Sequence, residues 1–346
     1  MRLTTIEIER FTAFQGAILE FSPGINVFIG VNGTGKSHLL KLLYSALKAK
    51  REVALNGQPA GNLLGVGLAK KLAGVYRPDD GAIKRLVNRR VGRSKAVVRL
   101  RTDDGGIDFR LTTQGNLYID RDDVGSPAPC VFIPSREALA MFEGFIRAYE
   151  ERELSFDETY KDLCVALSGN PLKGRRLGEV SRLAQPLETV LDGRIVLEGG
   201  RFYLASPQGN LEAHLLAEGM RKIGALLHLI VNGSLMKNGF LFWDEPEANL
   251  NPNLITKVVE TLRQLAKFGV QVFLASHDYL LTQRLSLLAE QDAGTRTQFF
   301  CLTRPLPDAP VIVSQGPSLA DLPENPILTE FARYYDDQRE SFESKG

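Results

Sequence analysis

Residues 30–37 read GVNGTGKS, and Gly30, Gly33, Gly35, Lys36 and Ser37 satisfy the phosphate-loop spacing G-x-x-x-x-G-K-[ST] without a mismatch. Glycines at these positions let the backbone turn its N–H groups inward on phosphate oxygens, and a helix N-terminus behind the loop adds partial positive charge. Lys36 would reach the β- and γ-phosphates of a nucleotide, and the Ser37 hydroxyl would ligate Mg2+. Asn32, Thr34 and His38 complete the expected nucleotide cradle. A second constellation lies in GFLFWDEPEANLNP, residues 239–252, where an apolar strand ends in Asp244 and Glu245. Two carboxylates are thereby expected at the carboxyl edge of a sheet, where open α/β folds bind ligands. Asp244 would hold Mg2+, usually through water, and Glu245 would orient or deprotonate an attacking water.

These groups need elements to position them. LTTIEIERF alternates as a strand, and INVFIG is a short apolar strand running into the loop. KSHLLKLLYSALKAK then carries apolar residues at helical spacing, so the strand–loop–helix context of a phosphate loop is present. Residues 51–95 are rich in Gly, Lys and Arg and are expected to be irregular with a short helix. The turns DDGG and TQGN between alternating runs predict a β-hairpin over 96–122. PCVFIPSREALAMFEGFIRAYEE reads as a strand entering a helix, residues 156–192 as broken helices, and GRIVLEGGRFYLASPQG as another hairpin. From 218 onward a helix is followed by buried strands alternating with helices: GFLFW, PNLITKVVETLRQLAKF, VQVFLAS, YLLTQRLSLLAE, TQFFCLT and PVIVS. That rhythm predicts an α/β fold with a mixed, largely parallel sheet flanked by helices, an antiparallel β section, and an inserted helical lobe over 135–192 of a single domain spanning 1–346.

The pair GVNGTGKS and FLFWDEPEANLNP resembles the ABC-type ATPases, in particular the soluble branch with SMC-like and RecF-like heads. The opening strands, 1–50, and residues 210–305 carry this likeness, and DEPEANLNP is closer still to stand-alone prokaryotic AAA-family ATPases often paired with toxin or anti-phage effector genes. The resemblance implies a P-loop NTPase fold with an ABC-type head, binding ATP and Mg2+ and hydrolysing ATP. It implies a homodimer or higher homo-oligomer formed head-to-tail around ATP, and a separately encoded effector protein. It makes His277, in VFLASHD, a switch histidine contacting the γ-phosphate, with Lys36 and Glu245 as its catalytic companions. Asn251 falls where the family's dimer-spanning loop normally carries Asp. The trans-acting signature falls on Leu216 to Met220, where Gly219 keeps the L-S-G-G-Q pattern while Ala217, Glu218 and Met220 depart from it. Arg221 or Lys222 could supply compensating contacts. In SREA, residues 135–138, Arg136 near a nucleotide or partner competes with a helix-capping Ser135 and Glu137.

Composition sets the bounds. The chain has 346 residues, 44% hydrophobic and 24% charged, with 42 basic against 41 acidic side chains. Such a balance gives no global footprint for nucleic acid. The basic runs 84–95 and 173–182 read as solvated faces before phosphate-binding ones, so nucleic acid is the less favoured partner. No apolar run spans a membrane, and the three scattered cysteines, Cys130, Cys164 and Cys301, read as buried hydrophobes in a cytoplasmic protein. A RecF-like DNA-repair ATPase is the principal alternative to a defence or toxin–antitoxin switch. A transporter subunit and a non-hydrolysing ATP binder fit less well. The segment 316–346 reads as a packed helix in preference to a partner-docking one.

Overall fold

The computed structural model describes residues 1–55, 63–88, 94–125, 127–151, 154–292, 294–306 and 309–343. Alternation in the first apolar run makes β1 (Leu3–Phe11), with Leu3, Ile6, Ile8 and Phe11 buried. It turns antiparallel into β2 (Phe14–Glu20), and β3 (Ile25–Ile29) follows, buried along its whole length. The glycine loop leads to α1 (Lys36–Leu55) and then α2 (Leu63–Tyr76). Strands β4 (Lys95–Thr102), β5 (Gly105–Thr112) and β6 (Leu117–Asp122) form a meander before β7 (Cys130–Ile133). Three helices, α3 (Phe145–Glu151), α4 (Glu158–Leu167) and α5 (Arg175–Leu191), precede the hairpin strands β8 (Arg194–Glu198), β9 (Arg201–Ser206) and β10 (Gly209–Glu212). The chain then alternates through α6 (Glu218–Val231), β11 (Phe240–Asp244), α7 (Pro252–Phe268), β12 (Gln271–Ser276) and α8 (Tyr279–Gln291). It ends with β13 (Thr297–Thr303), β14 (Ile312–Gly316) and α9 (Pro326–Glu343).

A six-stranded sheet of order β14-β13-β3-β12-β11-β7 lies at the centre, with every neighbouring pair parallel except β13–β14. Its two faces bury alternate residues in separate cores. Ile25, Val27, Leu241, Trp243, Val272 and Leu274 pack on the side of α5–α8. Phe28, Phe242 and Phe273 stack on the other, at centroid separations of 6.5 and 5.0 Å, under α1 and the antiparallel sheet β2-β1-β4-β5-β6. An α/β ATPase-type layering of this kind agrees with the expected fold class.

Three local expectations change. Within 51–95 a full helix, α2, forms despite Gly65, Gly67 and Gly74, burying Leu64, Leu68, Leu72 and Val75 on one face and pairing its buried Lys71 with Glu52, Glu158 and Asp162. Burial of that face outweighs the weak helix propensity of glycine there. The helix expected from SREA onward begins only at Phe145. Glu137 instead accepts a hydrogen bond from Ala140 N at 3.2 Å and pairs with Arg221 at 2.8 Å. Finally, α9 buries none of its residues and is anchored near its start by Phe331 stacked on Tyr279, 4.2 Å between centroids, so the core-packing expectation for the C-terminal segment holds for Leu319 and Leu322 ahead of the helix and fails for the helix itself. Its apolar residues are interrupted by Asp336, Asp337, Arg339 and Glu340, too many charges for a buried face.

The two sheets are tied by a buried amide. Gln271 Oε1 accepts from Leu3 N at 2.8 Å, and its Nε2 donates to Leu3 O and Ser22 O, both at 2.8 Å. Gln271 is 1% exposed. Replacing it by Leu removes the amide partner of Leu3 N and Leu3 O, while Ser22 O keeps Asn26 Nδ2 at 2.9 Å, so Gln271→Leu is expected to cost about 2–4 kcal/mol in equilibrium urea unfolding. A loss under about 0.5 kcal/mol contradicts this account of the joint.

Candidate active site

Strand register brings the two sequence constellations together. Ala275 of β12 pairs with Phe28 of β3 on one side and with Asp244 of β11 on the other. All three strands therefore end at nearly one level, and the segments beginning at Gly30, Glu245 and His277 leave the sheet along the same edge. In the glycine loop Gly30, Gly33 and Gly35 have φ of +141°, +81° and +99°. A Cβ on Gly30 would collide with the Leu302 carbonyl, and one on Gly35 would lie 3.2 Å from Ala13 Cβ and Phe14 Cε2. Conformation and close packing both demand glycine at these positions. The Thr34 hydroxyl closes the loop on Val31 O at 2.9 Å, and Lys36 Nζ donates to Gly30 O at 2.7 Å and Val31 O at 3.1 Å. A cavity of about 220 Å³ is lined by Asn32, Gly33, Gly35, Lys36, Ser37 and His38, with Glu245 among its walls.

Asp244 ends β11 and accepts a hydrogen bond from Ser37 Oγ at 3.0 Å. A hydroxyl and a carboxylate are hard oxygen donors that suit Mg2+, which keeps water and phosphate oxygens as its remaining ligands. Burial raises the Asp244 carboxyl above its ordinary pKa, and the Ser37 hydrogen bond opposes that. Burial also lowers the Lys36 ammonium, against the pull of Asp244, Glu245 and Glu247. Glu245 holds a left-handed backbone, φ +49°, while its N–H donates to Ala275 O at 2.9 Å. Such a conformation is costly for a non-glycine residue and turns the chain sharply at the strand end. The His277 Nδ1 lies 3.5 Å from Glu245 Oε1, and both side chains are accessible.

Two charged residues brace this edge without any motif of their own. Lys222, 1% exposed, donates from Nζ to Glu245 O and Ala248 O, both at 3.0 Å. Its place is under its own chain's acidic turn, which differs from the compensating nucleotide contact expected of it. Glu247, 7% exposed, accepts at Oε1 from Ser276 Oγ at 2.8 Å and His277 N at 3.2 Å. The apolar spacing of EGMRKIGALL, which puts Lys222 on the buried side of α6, is the one sequence signal that could have found it. For Glu247 no local signal exists.

Gly219 and Arg221 are absent from the cavity lining. Gly219 passes so close to the Asn249 carbonyl that a Cβ would lie 2.7 Å from it. Arg221 is engaged by Glu137 and donates to Leu216 O at 2.6 Å. Asn251 caps α7, its Oδ1 accepting from Leu254 N at 3.0 Å. Of the basic run 84–95, residues 89–93 lie outside the described residues.

Comparison with known proteins agrees with this geometry. Residues 134–282 match a family described as "AAA domain, putative AbiEii toxin, Type IV TA system", and residues 1–100 match an AAA ATPase domain family. The DNA replication and repair protein RecF of Heliobacterium modesticaldum is 42% identical over 41 residues, 12% of this chain and 11% of that protein. Its counterpart from Acidothermus cellulolyticus is 40% identical over 55 residues, 16% and 15% of the two chains. These matches thus span a small part of each relative. Among solved structures, the SmcHead bound to the C-winged helix domain of ScpA aligns with a TM-score of 0.58 at 13% identity, over 92% of this chain and 98% of that one. The Smc head domain with an extended coiled coil, bound to the C-terminal domain of ScpA derived from Pyrococcus furiosus, gives 0.51 at 11% identity over 98% and 99%. The fold is therefore an α/β P-loop ATPase fold of the SMC-head type.

Burial holds the Glu247 carboxyl above its ordinary pKa, since ionising it inside the fold costs desolvation. An acid whose folded pKa is raised favours the fold most when protonated in both states, below the unfolded value near 4.5. That advantage is lost as pH rises through the folded pKa. Glu247→Gln removes the charge and is expected to raise the melting temperature at pH 7 by a few degrees. The gain should shrink as the pH falls through the raised folded pKa and be gone below about 4.5; a gain that grows on acidification contradicts the assignment.

Proposed function

We propose that this chain is an ATP-binding and ATP-hydrolysing switch. The observation that carries the reading is the Ser37–Asp244 hydrogen bond at 3.0 Å, with Glu245 and His277 3.5 Å apart at the same edge. The loop amides and Lys36 hold the phosphates, and Ser37 and Asp244 hold Mg2+. When bound, Mg2+ neutralises charge on the β- and γ-phosphates. Glu245 orients the attacking water and accepts its proton, and His277 faces the γ-phosphate. One domain over 1–346, with a helical lobe over 135–192, presents these groups on one surface.

Two copies pair head-to-tail, each closing the other's site with the segment Leu216 to Met220. Support for this comes from the place of that segment at the start of α6, where N-cap Ala217 makes no side-chain cap hydrogen bond. The copies separate after hydrolysis, so the nucleotide state sets the assembly. The switch governs a separately encoded effector in a prokaryotic toxin–antitoxin or defence system. The family description for residues 134–282 supports that role. A RecF-like repair role is the second reading, favoured by the short 40–42% identical segments. Among the described residues no helix is long and apolar enough to cross a membrane.

Glu245→Gln is expected to bind ATP, to lose hydrolysis by about 10²–10⁴-fold, and to accumulate as a dimer in size-exclusion light scattering with ATP. A variant that stays monomeric overturns the dimer reading. Lys36→Ala is expected to abolish ATP binding in calorimetry, and an unchanged Kd removes the nucleotide assignment. DNA-stimulated turnover that falls steeply with salt selects the repair reading. Co-purification with the product of an adjacent gene selects the effector reading.

A further inference from the structure

Glu247 stands out because its burial is costly and its bonding incomplete. It is 7% exposed, yet Oε2 meets no hydrogen-bond partner on any other of the described residues. A buried polar atom without a partner is uncommon and asks for a reason. The other oxygen is fully engaged, taking the Ser276 hydroxyl at 2.8 Å and the His277 amide at 3.2 Å, and it lies 3.8 Å from His277 Nδ1. The same imidazole nitrogen is 3.5 Å from Glu245 Oε1. Two carboxylates separated by Pro246 thus converge on one histidine, and only Glu245 is accessible enough to meet water.

We propose that Glu247 is a positioning residue for His277, holding the Ser276–His277 backbone and facing the imidazole so that His277 stays in place when Glu245 turns to the attacking water. The role rests on the ATPase reading above. Without Glu247, Glu245 would have to anchor the histidine and serve the water at once. The hydrogen bonds also join the acidic turn after β11 to the end of β12, so the two catalytic side chains move as one body. Lys222 grips the same turn from beneath through Glu245 O and Ala248 O, which leaves Glu247 as the link on the histidine side.

Steady-state ATPase and ATP calorimetry on the full chain test this with Glu247→Ala, Glu247→Gln, Ser276→Ala and His277→Ala. Loss of hydrogen bonds to a charged group corresponds to about 10–100-fold in kcat. Glu247→Ala should show that loss while its Kd for ATP changes by no more than about twofold, as expected for a group that acts after binding. Glu247→Gln keeps an oxygen for both donors and should restore most of the rate. Ser276→Ala, a change of one buried hydroxyl, should lower kcat in the same direction and serves if alanine at 247 unfolds the chain. The Glu247→Ala/His277→Ala pair should lose no more than the worse single variant. Additive losses, a Gln variant as impaired as the Ala variant, or Kd rising in step with falling kcat overturns the role. Wild-type turnover with an unimpaired Glu247→Ala removes this role alone, whereas no wild-type turnover removes the ATPase reading and this role with it.

Discussion

Register in the parallel sheet is the constraint on which the site depends. Strand β3 lies more than 200 residues before β11 and β12 in the chain, and yet Phe28, Ala275 and Asp244 lie in one row. A slip of one residue in any strand would send every side chain to the opposite face. The different chemistry of the two faces resists that slip. Phenylalanines dominate one side, and aliphatic residues with Trp243 and Phe299 fill the other. Buried Asn26, donating to Val272 O at 3.3 Å, and buried Gln271, bonded to Leu3 and Ser22, add hydrogen bonds between separate segments that depend on the alignment. Packing far from the nucleotide edge thereby sets where Gly30, Glu245 and His277 emerge.

Charge at that edge is balanced locally. Asp244 and Glu247 are buried acids, and Lys36 and Lys222 are buried bases, each displaced from its ordinary pKa first by desolvation. Breaking such a set is costly because a lone buried charge remains behind. The lysines bond to backbone carbonyls, Gly30 and Val31 for one, Glu245 and Ala248 for the other. Each lysine therefore shapes a loop as well as balancing charge. The acidic turn is further bound to the start of α6 through Asn249 and Glu218, 2.7 Å apart.

Likeness to SMC heads covers nearly the whole chain at 11–13% identity, while likeness to RecF is confined to short, better-matched segments. The two patterns are compatible. The nucleotide machinery tolerates few changes in its loops, and the scaffold needs only apolar residues of suitable period and volume. Where the antiparallel sheet, helical segment and C-terminal helix are free of that chemistry, partner choice has room to vary.

The order of residues alone determined the phosphate loop, the Asp244–Glu245 strand end and most of the α/β alternation. Glycine spacing, apolar runs and the Asn251-Pro252 and Gly269 caps of α7 are local rules that need no distant partner. Tertiary structure decided what depends on contacts across the chain. It packed the apolar face of α2 and paired its Lys71 with three carboxylates, engaged Glu137 of SREA with Arg221, and left α9 on the surface. It also made Lys222, expected to meet nucleotide, and Glu247, given no role of its own, into the braces of the acidic turn. The apolar spacing of α6 marks the burial of Lys222 but not what it binds, since a buried charge is defined by the partner that meets it, and those partners are supplied by other elements of the fold.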